Sequence, residues 1–359
     1  MENRKIRVAI THGDTNGIGY ELIFKTFADP VMLELCTPII YGSPKVAAYH
    51  RNVLNNQANF TIINKAEDAR DGRINLLTTF DEEVKVEIGN VSTDSSRAAA
   101  TALKKAISDY GQGGFDVLVT VPVDAEGFQA LGMEASSQTK YIEQLTGNKD
   151  SAMTILVNES VRVAILTPQI PVKEAIPAIT KESIVSKTIL FHESLKRDFR
   201  VSSPRIAILT LNPENSNGKE EDDILVPAIN ELEEKGIQAF GPYPADSFFG
   251  NNMNDAFDGI IAMYHDQGTI PFKTLDNGNG ITYTAGLPFV HTSTIHGAII
   301  EQAGKGTVDE SSFRHAVYQA IDICRNRANY EEPLRNPLKK LYHEKRDDSE
   351  KVRFAIPKQ

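Results

Sequence analysis

The sequence predicts an α/β protein built on a mostly parallel, doubly wound sheet. Short apolar runs alternate with longer segments of helical periodicity along most of the chain. Several of these runs end in loops that contain glycine or proline and lead into a helix, as expected for strands joined by crossover connections. The length of 359 residues suits two domains, or one large domain with a cleft.

The first third of the chain contains four apolar runs with strand character and three segments with helical periodicity. The predicted strands are 6–11, 37–41, 60–63 and 115–121, and the predicted helices are 20–27, 44–54 and 92–110. Thr93, Asp94 or Ser95 is expected to cap the third helix. Residues 66–90 are charged and irregular, and we expect edge strands and turns there.

The remainder of the chain repeats this alternation of strands and helices. The predicted strands are 152–157, 161–167, 206–211 and 257–262. One predicted helix follows residues 136–140 and ends at Leu145, and the others are 181–197, 222–235 and 311–325. Residues 241–246 form a proline-containing segment that predicts a rigid loop. Residues 330–359 are highly charged and lack periodicity, which predicts an extended or partly disordered arm.

Composition and charge exclude several functional classes. The net charge of −10, without a basic block before the C-terminal tail, argues against nucleic acid as the main partner. No apolar run approaches the ~20 residues of a membrane span. Cys36 and Cys324 lie far apart and match no zinc or redox spacing. The N-terminus shows no signal-peptide pattern, so a cytoplasmic protein is expected.

The stretch from Met263 to Gly268 places His265, Asp266 and Gln267 where a buried strand is expected to end and a loop to open. In open α/β sheets, ligands bind at that edge. Lys273 follows eight residues after His265. This combination suits an anionic substrate held on a metal, and it also fits a polar loop with a hydrogen-bonded histidine.

A glycine-rich loop follows the first predicted strand. Gly13, Asp14, Gly17 and Gly19 precede a predicted helix, an arrangement that can hold an anion at the helix N-terminus. The spacing fits neither the dinucleotide fingerprint nor the phosphate-binding loop. A tight turn and a ligand-binding loop are both consistent with this pattern.

Gln169, Glu214 and His265 each follow an apolar strand and lie in a loop with proline or glycine. Side chains at the C-terminal ends of strands can meet in one cleft. Together these three would suit a hard or borderline divalent ion better than a soft one. The alternative is that they are ordinary polar loop residues.

Several motifs, taken in order, indicate a known family. They are the segments 10–14, 17–19, 118–122, 211–213, 241–246, 263–268, 286–289 and 296–297. From about residue 5 to 326 the sequence resembles the 4-hydroxythreonine-4-phosphate dehydrogenases of the vitamin B6 (pyridoxal phosphate) pathway.

The resemblance implies a homodimer of subunits with two α/β domains around a cleft, similar to isocitrate and isopropylmalate dehydrogenases. Residues 1–125 with about 275–329 would form the first domain and residues 126–274 the second. It also implies NAD and a divalent metal as cofactors. The implied reaction oxidises the C3 hydroxyl of 4-phosphohydroxy-L-threonine, and the resulting keto acid loses CO2 to give 3-amino-2-oxopropyl phosphate.

The resemblance also assigns roles to particular residues. His265, Lys273 and Asp246 are the predicted catalytic residues, and Lys273 matches the substrate lysine of the family. The other predicted substrate-binding residues stand at the family's substrate positions, where only Thr139 keeps the family residue; they are Gln138, Thr139, Thr282 and His291.

The sequence departs from the family pattern at several of these positions. Of three metal-binding histidines only His265 is kept, because the other two positions hold Gln169 and Glu214. The substrate asparagine and arginine are replaced by Thr282 and His291, which removes a fixed bidentate cation. We therefore expect weak metal binding, with magnesium or manganese preferred over zinc. Two further alternatives are the same chemistry on a different hydroxy acid or diol, and a catalytically impaired paralogue with a binding or regulatory role.

Overall fold

The computed structural model describes residues 4–80, 84–124, 127, 129, 138–147, 152–167, 169–214 and 218–336. These residues form one continuous sheet with helices packed on it. Most of the predicted C-terminal arm, residues 337–359, lies outside the described residues. None of the described helices is both long and apolar enough to cross a membrane.

The strands are short and mostly buried. They are β1 (Ile6–Thr11), β2 (Cys36–Gly42), β3 (Phe60–Ile63), β4 (Ile74–Thr78), β5 (Val117–Thr120), β6 (Met153–Val157), β7 (Arg162–Ile165), β8 (Arg205–Leu209), β9 (Gln238–Tyr243), β10 (Gly259–Ala262), β11 (Ile281–Ala285) and β12 (Val290–Thr294).

The helices vary more in length. They are α1 (Gly19–Phe27), α2 (Pro30–Leu35), α3 (Pro44–Val53), α4 (Thr93–Tyr110), α5 (Gln138–Thr146), α6 (Val172–Ala178), α7 (Lys181–Arg197), α8 (Val226–Glu234), α9 (Ala245–Gly250), α10 (His265–Leu275) and α11 (Ser311–Arg335).

Within the described residues the sheet has twelve strands in the order β3-β4-β2-β1-β5-β12-β11-β6-β7-β10-β8-β9. The pairings are parallel except for three adjacent ones, β12 with β11, β11 with β6, and β6 with β7. Three reversals in a row leave β7, β10, β8 and β9 running opposite to β1, β2 and β5. Both halves are parallel sheets covered by helices, which explains their near-continuous apolar strands.

The predicted α/β class is confirmed, but some local predictions are wrong. β4 pairs on both sides and is not an edge strand, although residues 66–90 are charged on average. The strand that begins near Ala152 is also interior, because β6 pairs with both β11 and β7. It therefore has no free edge that could pair with a partner subunit.

Several helix ends also differ from the prediction. Ser92 caps α4, because its hydroxyl accepts from Ser95 N and the Ser95 hydroxyl accepts from Ser92 N. α11 continues to Arg335 instead of ending at 325, since no glycine or proline interrupts the chain before Pro333. The predicted rigid loop is divided between β9 and α9.

A buried ionic cluster joins α11 to strand β11 and to the end of α7. The Asp198 side chain, fully buried, accepts hydrogen bonds from Tyr283 on β11, from Arg197 and from Arg327 on α11. Burial alone would raise the pKa of Asp198, but the hydrogen bond from Arg197 and the charge of Arg327 outweigh it and lower that pKa. Asn326 adds a hydrogen bond to the Asp198 carbonyl at 2.8 Å.

Candidate active site

Three neighbouring parallel strands carry the predicted metal-binding loops. β10 lies between β7 and β8 and is parallel to both. Their C-terminal ends therefore lie at one edge of the sheet, followed by Gln169 after β7, His265 after β10 and Glu214 after β8. The ordering puts the His265 turn between the other two loops.

His265 does not open a loop, as we had expected, but begins helix α10 directly after β10. Gly268 and Pro271 disfavour a helix by propensity. Tertiary packing overrides this preference, because a Cβ at Gly268 would lie 2.4 Å from Ile165 Cδ1 and 2.9 Å from Ala262 Cβ. The absent side chain lets α10 pack directly on β7 and β10.

The Asp266 carboxylate orients the His265 ring. Its Oδ1 lies 2.8 Å from His265 Nδ1, so this nitrogen carries the proton and donates a hydrogen bond to the carboxylate. Nε2 is then the nitrogen that can bind a metal ion or accept a proton. The His265 side chain is 39% exposed, so a ligand can reach it.

The loop that carries Glu214 is held by a residue that the sequence analysis missed. Glu221 is buried, and its Oε1 accepts from Leu211 N at 3.0 Å and from Asn212 N at 2.8 Å. Its Oε2 accepts from Asn212 Nδ2 at 2.9 Å. Glu221 opens a π-helical turn, Glu221–Leu225, a rare feature that is frequent at functional sites.

A cavity of about 460 Å³ adjoins these loops. Its walls are mainly apolar, with Leu211, Phe249, Tyr264 and Ile270 among the lining residues. Its polar lining includes Asn212, Asp246, Asp266 and Gln267. The structure thus brings Asp246 together with the residues that follow β8 and β10.

Lys273 lies on the same helix as His265, near its opposite end. Eight residues of α-helix separate the two Cα atoms by about 12 Å. Lys273 is exposed. The pKa of His296 is lowered by burial of the His296 ring and by the charge of Lys273. Lys273 therefore lies near the segment that follows β12, whereas His265 lies at the end of β10.

His291 occupies a buried position on β12. Its Nε2 lies 2.9 Å from Thr120 Oγ1 and its Nδ1 2.9 Å from Thr284 Oγ1. Burial lowers the pKa of His291 to about 3, so the ring is neutral. To contact a substrate, the ring would have to give up one of these partners. Its predicted role in substrate binding stays a prediction.

Buried neutral histidines make an acid-sensitive fold. Burial lowers the pKa of His12 to about 4, whereas an unfolded histidine has a pKa near 6.5. The unfolded state therefore takes up more protons below that value, and stability falls on acidification. Each such histidine contributes a slope of about 1.4 kcal/mol per pH unit between its two pKa values.

We expect urea unfolding to show a lower free energy of unfolding at pH 5 than at pH 7.5. In His291→Gln the slope should be smaller by about 1.4 kcal/mol per pH unit near pH 5, which corresponds to one proton, and nearly unchanged at pH 7.5. The control is Gln238→Ala, which changes an exposed side chain that does not titrate and should keep the wild-type slope. Equal slopes in wild type and His291→Gln would contradict a buried neutral His291.

The remaining predicted residues occupy more accessible positions. Gln169 and Glu214 are exposed, and Gln138, Thr139 and Thr282 are half-buried. Gln138 and Thr139 open α5, which packs against α4. No group of three His, Cys, Asp or Glu side chains suited to a metal is found among the described residues. The predicted set contains only two of these residue types, so a site would depend on the Gln169 amide as well.

Close backbone packing explains why glycine stands at two positions of the loop after β1. A Cβ at Gly13, where φ is +71°, would lie 2.5 Å from the Pro122 carbonyl oxygen, and one at Gly19 would collide with the His12 carbonyl. Asp14 points inward and accepts from Asn16 N and from the Ser95 hydroxyl. The role of Gly13, Asp14, Gly17 and Gly19 in NAD binding stays a prediction.

Comparison with known proteins gives a consistent result. Residues 34–320 match the sequence model of the pyridoxal phosphate biosynthetic protein PdxA. A 4-hydroxythreonine-4-phosphate dehydrogenase from Bacteroides thetaiotaomicron is 50% identical over 358 residues, which cover 99% of this chain and 98% of that protein. A protein from Oceanobacillus iheyensis, provisionally named a D-threonate 4-phosphate dehydrogenase, is 33% identical over 90% of this chain and 99% of its own.

A solved structure agrees with the sequence relatives. The crystal structure of 4-hydroxythreonine-4-phosphate dehydrogenase from Klebsiella pneumoniae superposes with a TM-score of 0.77 at 26% identity. The match covers 90% of this chain and 99% of that one. The fold expected from the sequence is therefore shared with a protein of that name.

Proposed function

Because the chain belongs to the PdxA family of pyridoxal phosphate biosynthetic proteins, we propose that it catalyses the NAD-dependent oxidative decarboxylation of 4-phosphohydroxy-L-threonine. The product would be 3-amino-2-oxopropyl phosphate, an intermediate of vitamin B6 synthesis. The observation that carries the proposal is the 50% identity to a 4-hydroxythreonine-4-phosphate dehydrogenase over nearly the whole of both chains.

The arrangement of strand ends supports this chemistry. Gln169, Glu214 and His265 would hold a divalent ion, weakly, with magnesium or manganese preferred over zinc. Such an ion, when bound, supplies Lewis-acid stabilisation of charge on substrate oxygens. The orientation of the His265 ring by Asp266 fits this role, because it leaves Nε2 available.

Other side chains of the proposed site supply the remaining requirements of the reaction. Asp246 Oδ1 accepts from Ser247 N at 2.6 Å, so Oδ2 is the oxygen left to take up a substrate proton. Lys273 supplies a cation for the phosphate or carboxylate of the substrate. The apolar wall formed by Leu211, Phe249 and Ile270 limits water near the reacting atoms. NAD, when bound, accepts the hydride that leaves C3 of the substrate.

We also propose a homodimer whose subunits each have two α/β domains, 1–125 with about 275–329, and 126–274. The reversal of strand direction between β12 and β7 supports this division of the chain, because it separates two parallel half-sheets. Ile270 is 63% exposed on α10, an apolar side chain that a partner subunit would cover. Sedimentation at micromolar concentration distinguishes a dimer from a monomer.

One observation supports an alternative substrate. The relative named for D-threonate 4-phosphate is 33% identical over 90% of this chain, so a different phosphorylated hydroxy acid is a realistic alternative. Both candidate substrates carry a phosphate and a secondary alcohol.

The test is an assay with NAD, Mn²⁺ and each candidate substrate in separate reactions. We expect NADH and CO2 in equal amounts with 4-phosphohydroxy-L-threonine. NADH formed only with D-threonate 4-phosphate would shift the assignment to the second substrate. If calorimetry shows NAD binding but neither substrate is oxidised, the substrate site has been lost. No NAD binding at all would favour a binding or regulatory role instead.

A further inference from the structure

Backbone pairing in this part of the sheet ends just before the predicted metal-binding residues. The last links of the ladder are the pairing of Ala262 with Ile165 and the hydrogen bond from Leu166 N to the Ala262 carbonyl. Beyond this point the turns after β7, β8 and β10 need other contacts to fix their relative positions.

Two side chains supply these contacts. The Thr167 hydroxyl donates to the Met263 carbonyl at 3.0 Å, which joins the β7 turn to the β10 turn. Gln267 Oε1 accepts from Met263 N at 2.7 Å, and Gln267 Nε2 donates to the Thr210 carbonyl at 2.6 Å. Gln267 thereby joins the β10 turn to the loop after β8.

The Gln267 amide has both of the functions that this position requires. Met263 N offers a donor and the Thr210 carbonyl offers an acceptor, and both residues are buried. Each would lack this partner without the amide, and an unpaired buried polar group is costly. Glutamate could accept from Met263 N but would place a second acceptor against the Thr210 carbonyl. Methionine has a similar length and makes neither bond.

We propose that Gln267 is a positioning residue that sets the spacing between the turn of His265 and the loop of Glu214. It lies two residues after His265, and its partner Thr210 lies four residues before Glu214. The proposal rests on the proposed function, because it concerns the metal-binding residues of that site. Gln267 acts through the backbone of both loops and is not assigned a contact with the metal.

The test compares Mn²⁺ binding by calorimetry in wild type, Gln267→Glu and Gln267→Met. We expect the dissociation constant to rise about 10- to 100-fold in both variants, as for other residues that orient metal ligands. NAD affinity should stay within about twofold of wild type. The matched control is Gln238→Glu, which adds the same charge at an exposed glutamine of β9 and should leave Mn²⁺ affinity unchanged.

A purely structural role for Gln267 predicts a different pattern. The melting temperature of the metal-free protein would fall, while the Mn²⁺ dissociation constant and the kcat and KM values of the folded enzyme would stay at wild-type values. That result would overturn the proposal. Wild-type Mn²⁺ affinity in both Gln267 variants would overturn it as well.

Crystal structures separate this proposal from the proposed function. If the wild type binds no Mn²⁺ and oxidises neither substrate, the proposed function fails. Metal-free structures of wild type and Gln267→Met then decide the question of positioning. A shift of residues 211–214 by about 1 Å relative to His265, a displacement large enough to impair catalysis, supports the role. An unmoved loop contradicts it.

Discussion

Replacing His265 with alanine is expected to lower kcat/KM for NAD reduction by at least about 100-fold. Loss of a residue that merely orients a metal ligand costs 10- to 100-fold, and loss of the proposed nitrogen ligand should cost no less. His265 is the one nitrogen donor in the proposed set, since Gln169 and Glu214 offer oxygen atoms. The Mn²⁺ dissociation constant should rise together with the loss of activity.

The comparison for this variant is His192→Ala, which removes a histidine from the middle of α7 and should keep wild-type kinetics. A second comparison, Asp266→Asn, keeps the ring but weakens its orientation and should fall between the two. If His265→Ala retained both Mn²⁺ affinity and NAD reduction, the site would not include His265. The family assignment would then need other residues to carry the chemistry.

Replacing Asp198 with alanine is expected to lower the free energy of unfolding by about 3–5 kcal/mol, the usual cost of removing one partner of a buried ion pair. The Asp198 side chain is fully buried and Arg327 is 12% exposed, so solvent cannot replace the lost carboxylate. Arg197 and Arg327 would then repel each other, and the Tyr283 hydroxyl would lose its acceptor. Urea unfolding of the purified variant measures the change.

A surface pair on the same helix provides the reference for this experiment. Asp322 on α11 is 62% exposed and pairs with Arg325 at 3.8 Å. Asp322→Ala should change the free energy of unfolding by less than about 1 kcal/mol, because exposed ion pairs contribute little. Similar losses in the two variants would show that the Asp198 cluster is not the connection that holds α11.

The sequence predicted best those parts of the fold in which burial produces a clear run of apolar residues. β10 is a continuous apolar run and β1 is apolar except at Arg7 and Thr11, and both were placed correctly. The meeting of three strand ends followed from the same logic, because parallel neighbours end at one edge. Pattern alone could not show that β10 lies between β7 and β8, which depends on long-range pairing.

The β11–β12 hairpin was missed because it is rich in threonine. Thr284 and Thr292 are buried, and their hydroxyls pair with His291 and with the Ala316 carbonyl. In the sequence such residues resemble a polar loop. The same limit applies to His291, whose position matches a family motif but whose neighbours are defined only by the folded sheet.

The positioning role proposed for Gln267 was beyond sequence reasoning for a related reason. The motif placed this residue beside His265, but its two partners are backbone atoms of Met263 and Thr210. Backbone partners leave no signature in the side-chain pattern. Glu221 escaped notice in the same way, since it binds the backbone of Leu211 and Asn212.

The pairing of β5 with β12 has a consequence for synthesis on the ribosome. Val117 pairs with Val290, so one side of β5 has no neighbour until the chain has grown by 173 residues. At ordinary elongation rates this delay is about 10 to 35 seconds. By contrast, the open edge of β7 waits a shorter time for β10, since Val163 pairs with Ile260 after 97 residues. An open strand edge is a template for aggregation during such a wait. Nascent chains of this protein should therefore depend on chaperone protection until β12 is complete.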